Sequence, residues 1–378
     1  MSASGAPGRL TLCATCLFGV EGPLASELRR LGMEDVEASD GRVRFRTDER
    51  GLARANICSR FAERVLLELG RFGARSFDEL FEGVRALPLE DWIPENAAFP
   101  VKGYSVDSAL HSVVDCQRIV KKAAAVRLAA ARGASGMLRE SGAVHQLRFA
   151  IMRDEASIYL DTSGPSLHKR GYRPGRLAAP LRETIAAAMV DLSRYRGRGD
   201  FRDPFCGSGT IAIEAAFAAL NRAPGARRRF AAEDWPVLDR RIWRAEREAA
   251  AAREYRGDYR IFASDIDPAA VELARENARR AGVEDYIEFS VADALDRSPA
   301  GGSGVIVTNP PYGERLLERE EAGRLYARLG EAWGAAPGWK LHLLSGHPDF
   351  ERCFGRRAEK RRKLYNGPII CYLYSYSL

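Results

Sequence analysis

At 378 residues with 46% hydrophobic content, the chain is long enough for two or three domains with sizeable cores. No apolar run reaches about 18 residues, which excludes a helical membrane span, and Met1-Ser-Ala-Ser-Gly-Ala-Pro-Gly8 lacks the basic-then-apolar order of a secretion signal. The net charge of +7 suits a nucleic-acid partner, and seven scattered cysteines suit reduced thiols in the cytoplasm.

Taken in order, residues 10–15 read as a strand and 20–31 as a helix with apolar residues at helical spacing, closed by Gly32. Two further strands, 34–38 and 42–46, flank the turn Ser39-Asp-Gly41, and a helix starts near Gly51. Residues 1–60 thus form a small α+β module. Cys13 and Cys16 form a lone C-x-x-C with no second pair to complete a zinc site. Residues 61–163 continue with strands at 65–69, 98–104, 143–152 and 156–162 and helices at 76–84 and 117–132. His111 and His145 are isolated and read as structural. Residues 164–182, rich in glycine, proline and basic residues, leave two readings open: an exposed linker, or a loop folded over a ligand. From 201 onward strands alternate with helices, which predicts an α/β fold with a parallel doubly wound sheet. Its strands are placed at 201–205, 260–266, 286–291, 304–308 and 340–345, followed by a closing pair. Residues 221–258 look inserted, and 369–376 should pair antiparallel at the sheet's far side.

The chemistry starts at Asp203-Pro204-Phe205-Cys206-Gly207-Ser208-Gly209-Thr210. This is a strand end, a glycine loop and a helix start, where α/β sheets hold ligands. Ser208 or Thr210 could cap the helix. The glycine spacing also occurs in nicotinamide folds, but the next acid-terminated strand comes far more than about 20 residues later. An acid ahead of the glycines suits a ligand with an ammonium group, such as S-adenosylmethionine. Asp265, before Ile266, can accept from both ribose hydroxyls. Asp267 reads as the cap of a helix over 268–281, and Asp293, before Ala294, can accept from an adenine amino group.

Asn309-Pro310-Pro311-Tyr312 is the most specific signal. An exocyclic amino group on a base is a poor nucleophile because its lone pair is delocalised. The Asn309 side-chain oxygen and the Pro310 carbonyl can hold its two hydrogens, with the turn fixed by proline, and aim the lone pair at a methyl donor. Tyr312 can stack on an extruded base. The basic run Arg352, Arg356, Arg357, Lys360, Arg361, Arg362 and Lys363 reads as phosphate contact beside such a pocket.

Together these motifs resemble class I amino-methyltransferases. More narrowly, His168-Lys-Arg170-Gly-Tyr172-Arg173, Ala179-Pro-Leu-Arg-Glu183, Lys363-Leu-Tyr-Asn-Gly367 and Cys16-Leu-Phe-Gly-Val-Glu-Gly22 resemble the THUMP-containing RNA guanine-N2 methyltransferases of the bacterial RlmL type, over nearly the whole chain. The resemblance implies a ferredoxin-like domain (1–60), a THUMP RNA-binding domain (61–163) and a Rossmann-like catalytic domain (164–378). It implies S-adenosylmethionine as cofactor, a cytoplasmic location and 23S rRNA as substrate, with tRNA as the alternative. Neither a membrane nor a metal is implied. It also places Arg170, Tyr172, Arg173, Tyr312, Arg361 and Lys363 on the substrate side. A reading of another class is a non-catalytic RNA-binding or assembly factor, against which the intact glycine loop, acids and Asn309 argue.

Overall fold

The structure is a computed structural model that describes residues 9–133, 138–173, 181–296, 302–312, 316–334, 336–367 and 369–378. The expected tail 1–8, and Ala179 and Pro180 of the motifs above, lie outside the described residues.

The front half runs β1 (Leu10–Thr15), α1 (Glu21–Arg30), β2 (Glu34–Ser39), β3 (Arg42–Thr47), α2 (Glu49–Cys58), β4 (Arg64–Gly73), α3 (Phe77–Arg85), β5 (Val101–Val106), α4 (Val113–Arg132), β6 (Leu147–Met152) and β7 (Glu155–Asp161). Polar side chains start α2, α3 and α4: Asp48, Ser76 and Ser112 each accept a first-turn N–H, and Gly133, left-handed, ends α4. All seven strands form one sheet in the order β2-β3-β1-β4-β7-β6-β5. Its middle strand, β4, pairs antiparallel with β1 on one side and β7 on the other.

The second half runs α5 (Glu183–Leu192), β8 (Asp200–Asp203), α6 (Thr210–Leu220), α7 (Arg240–Ala251), β9 (Arg260–Asp265), α8 (Pro268–Ala281), β10 (Ile287–Val291), β11 (Gly304–Thr308), α9 (Leu316–Trp333), β12 (Trp339–Ser345), α10 (Phe350–Phe354), β13 (Lys360–Asn366) and β14 (Ile369–Ser377). The strand order is β10-β9-β8-β11-β12-β14-β13. The first five of these are parallel. As expected, the last strand pairs antiparallel at the sheet's far side: β14 runs between β12 and β13, and β13 is the edge. The sheet is covered on both faces. On β11, Val305 and Val307 join the core shared with α5, α6 and α8, while Ile306 packs with Tyr326, Leu329 and Trp333 of α9.

After β8 the chain moves outward to β9 and β10, then returns to lay β11 on the other side of β8. That reversal opens a crevice between the carboxyl ends of β8 and β11, the place where such sheets bind ligands. The inserted stretch 221–258 joins the two halves. Trp235 stacks on buried His145 at 5.1 Å, which gives that histidine the structural role expected. Glu246 on α7 is buried and accepts from Arg54 of α2 at 2.8 and 3.1 Å, with Arg50 at 3.3 Å.

Candidate active site

Two adjoining cavities of about 470 Å³ each open at the crevice, and Asn309 lines both. The first is walled by Asp203, Phe205, Cys206, Gly207, Ser208 and Thr210 from the glycine loop, with Leu181, Asp267 and Leu273 opposite. The second is walled by Asn309, Pro310, Pro311 and Tyr312, with Glu318, Glu321, Ala322 and Leu325 of α9. The two motifs, more than 90 residues apart in sequence, therefore meet because β8 and β11 are neighbours.

The loop geometry follows from its residues. Gly207 and Gly209 sit at φ +49 and +79, in the left-handed region. A Cβ on Gly209 would stand 3.0 Å from the Ala274 Cβ, whereas Gly207 faces open space on the ligand side. The expected cap is corrected: neither Ser208 nor Thr210 caps α6. Gly209 occupies the N-cap and no side chain bonds the first turn, while the Ser208 and Thr210 hydroxyls lie 3.1 Å apart. The open first-turn N–H groups thus face the cavity as a site for a carboxylate.

Asp203 is 1% exposed. One carboxylate oxygen accepts from the Thr308 hydroxyl at 2.9 Å, which ties β8 to β11. The other oxygen has no partner. Burial raises this carboxyl to about 7, against the lowering effect of the Thr308 and Phe205 hydrogen bonds, and nearby Asp265 adds to the rise. A buried, half-satisfied carboxyl on a cavity wall is a receptor for a cation. Asp265 accepts from the Gly207 N–H at 2.9 Å and the Asp267 N–H at 3.1 Å. Asp267 caps α8 as expected, through the Ala269 N–H at 2.9 Å, and also lines the cavity. Ile266 is 69% exposed beside β9. Asp293 accepts the Leu295 N–H at 2.9 Å, and the Ala294 carbonyl accepts from Trp333 at 3.2 Å.

In the second cavity the Asn309 side-chain oxygen is buried without a partner. The turn around it is braced: Tyr326 donates to the Pro311 carbonyl at 2.8 Å, and Asn366 of β13 donates to the Tyr312 hydroxyl at 3.2 Å. The Glu321 carboxylate has no ion-pair or hydrogen-bond partner among the described residues, and it faces this cavity.

The residues assigned to the substrate side fare unevenly. Arg170 and Tyr172 are buried, so their assignment is corrected. Arg170 pairs with Glu214 of α6 at 3.3 Å and donates to the Leu167 carbonyl at 2.7 Å, and Tyr172 packs edge-on against Phe217. Their guanidinium and ring hold the catalytic half together and are closed to a substrate. Arg173 pairs with Glu183 at 2.6 Å and reaches the Thr210 hydroxyl at 3.4 Å, so it braces the glycine loop. With Leu181 on the cavity wall, the described part of 164–182 is a strap packed onto the ligand site and not a solvated linker. On the edge strand β13, Arg361 lies over the Tyr372 ring at 4.7 Å and Lys363 over Tyr365 at 5.2 Å. Leu181, in the segment that the resemblance expects to close the pocket, lines the first cavity, whereas sequence reasoning missed Leu273 and Glu321, because only the docking of their helices turns them toward the cavities.

Comparison with known proteins bears on this geometry. The family model described as RMKL-like, methyltransferase domain, matches residues 170–375. The chain belongs to the RMKL-like methyltransferase family. The models for the RlmL ferredoxin-like domain and the THUMP domain match residues 11–66 and 74–161 of the front half. The chain is 44% identical over 370 residues to a Bacillus subtilis protein named putative RNA methyltransferase YpsC, covering 97% of this chain and 96% of that one. It is 36% identical over 364 residues to the ribosomal RNA large subunit methyltransferase K/L of Psychromonas ingrahamii, covering 94% of this chain but 48% of the relative. A solved methyltransferase, described as putative and complexed with SAH, superposes with TM-score 0.91 at 40% identity, covering 97% and 98% of the two chains. The RMKL-like catalytic domain is a class I methyltransferase fold, and its methyl donor is S-adenosylmethionine. The first cavity fits that donor by its own chemistry, with an orphaned buried carboxyl for an ammonium and open helix N–H groups for a carboxylate, and Asp265, bonded to the Gly207 N–H of its wall, lies next to it.

Proposed function

We propose that this RMKL-like methyltransferase methylates the exocyclic N2 amine of a guanine in RNA, and that 23S rRNA is the substrate. The observation that carries the reading is Asn309: its unpaired buried acceptor stands between a cavity fit for the donor and one sized for an extruded base. S-adenosylmethionine supplies an electrophilic methyl carbon on a sulfonium. Asp203 holds the ammonium, Asp265 the ribose and Asp293 the adenine amino group, while Pro204–Thr210, Ile266 and Ala294 shape the walls. Asn309 and the Pro310 carbonyl hold the two N2 hydrogens, Pro311 fixes the turn, and Tyr312 stacks on the base. Held this way, N2 keeps its lone pair free for the methyl group that the donor would supply, and one N2 proton would leave to solvent after transfer. Arg361 and Lys363 contact phosphate on the RNA that follows.

Glu321 favours guanine over adenine. Guanine presents an N1–H donor beside N2, which a carboxylate accepts. Adenine presents an acceptor at N1, which a carboxylate repels. The relatives named as RNA methyltransferases and the THUMP match support RNA. The domain division 1–60, 61–163 and 164–378 belongs to the same proposal. A tRNA substrate is the second reading of the same site.

The test is transfer from labelled S-adenosylmethionine to rRNA taken from cells lacking the enzyme, followed by nucleoside mass analysis. N2-methylguanosine is expected. Label on tRNA alone would reassign the substrate, and label in methyladenosine would sink the guanine assignment. Glu321→Gln is expected to lower kcat/KM on the guanine substrate about tenfold, through loss of one charge-assisted base contact. Unchanged kcat/KM would remove Glu321 from base selection.

A further inference from the structure

The loop between β1 and α1 carries a motif that the reaction does not use. Cys16-Leu-Phe-Gly-Val-Glu belongs to the front half in sequence but is built against the catalytic sheet. Glu21 holds the loop from within, accepting the Gly19 N–H at 2.8 Å and the Gly41 N–H at 3.0 Å. From the catalytic side, Arg362 of β13 donates to the Gly19 carbonyl at 3.0 Å. Gly19 sits at φ +90, and a Cβ there would lie 2.5 Å from the Lys363 carbonyl, so only glycine permits this approach.

What the locked loop presents is Phe18. The residue is 53% exposed, although the Tyr365 ring meets its ring edge-on with centroids 5.7 Å apart. A lone exposed phenylalanine needs no explanation in general. This one is fixed by three side chain–backbone bonds from two halves of the molecule, and its surroundings point one way. On one side, Tyr365 adjoins Asn366, which bonds Tyr312 in the base cavity. On the other, Phe18 lines a groove of about 1070 Å³ on the open face of the front sheet, with the cations Arg42, Lys102 and Arg153 and the acids Asp40, Glu63 and Asp107 on its walls, Arg148 paired with Asp161 at 2.9 Å, and Tyr104 42% exposed within it. Exposed aromatic rings set among cations are the surface that single-stranded nucleic acid requires.

We propose that Phe18 is a stacking site for an unpaired base flanking the target nucleotide, and that the RNA strand leaving the Tyr312 cavity passes over it into the front-sheet groove. This rests on the reading of the enzyme as an RNA methyltransferase. The occupant is single-stranded RNA, since a duplex offers no free base face.

The experiment measures Kd by fluorescence anisotropy for a fluorescein-labelled single-stranded RNA and for the same RNA annealed to its complement. Full-length wild type, Phe18→Ala and Phe18→Trp are compared. Phe18→Ala should weaken the single strand about tenfold, leave the duplex unchanged and leave S-adenosylmethionine affinity unchanged, and Phe18→Trp should bind like wild type. Equal affinities for wild type and Phe18→Ala would overturn the proposal. Equal weakening on both RNAs would overturn it as well, because that pattern reports a disturbed loop and not a lost stack. Failure of the wild type to methylate any RNA would instead count against the proposed function, which separates the two claims.

Discussion

Asn309→Ala is expected to lower kcat by about 10²–10³-fold while leaving the Kd for S-adenosylmethionine within about twofold of wild type. The argument starts from an unmet need in the folded state. The Asn309 oxygen is buried and has no partner, so the protein carries a desolvated acceptor without recovering a hydrogen bond for it. Removing it therefore costs little stability, and the melting temperature should hardly move. A bound amino group would satisfy the acceptor and be oriented by it. Part of that interaction exists with the base already bound, and part grows as positive charge develops on the nitrogen. Loss should thus fall mainly on kcat, with a smaller change in RNA affinity. Isothermal titration with the cofactor and single-turnover transfer to rRNA separate the two. Wild-type kcat in the variant would end the acceptor role, and a collapse of cofactor binding would show that Asn309 serves the first cavity instead.

The legibility of this site in the sequence followed its locality. Asp203 to Thr210 and Asn309 to Tyr312 are continuous motifs, and a strand end plus a turn fixes their residues relative to one another. That the two motifs meet also followed from the alternation of strands and helices, because a doubly wound sheet with a reversal puts its first and fourth strands side by side. Features set by packing between distant elements stayed hidden. Arg170 sits in a stretch whose composition leaves a linker and a ligand-covering loop equally open, and its partner is Glu214, 44 residues away on α6. Glu321 is one of many charges on α9, and only the seating of that helix turns it toward the base cavity. That β14 lies inside β13, and not at the edge, depends on the order of strand insertion, which alternation does not encode.

Asp203→Asn is expected to weaken S-adenosylmethionine binding about 30-fold at pH 8 and to abolish its dependence on pH, because a buried charged contact is worth roughly 2 kcal/mol or more. In the free protein, burial raises the Asp203 carboxyl from 3.8 to about 7. A bound ammonium beside the orphaned oxygen stabilises the ionised form and lowers that value again. The sign then follows. Above pH 7, until the ligand's own ammonium titrates at about pH 8, the carboxylate is already ionised and wild-type affinity is flat. Below pH 7 the free protein must lose a proton to bind, so affinity falls by up to about tenfold per pH unit until the lowered value is reached. Stability of the free protein runs the other way. Its folded value lies above the unfolded one, so ionisation costs stability as pH rises from about 4 through about 7, and the cofactor restores that loss. The rise in melting temperature on adding saturating S-adenosylmethionine should accordingly be larger at pH 8 than at pH 6 in wild type, and equal at both in Asp203→Asn. A wild-type Kd that does not change across that range would show that Asp203 does not receive the ammonium.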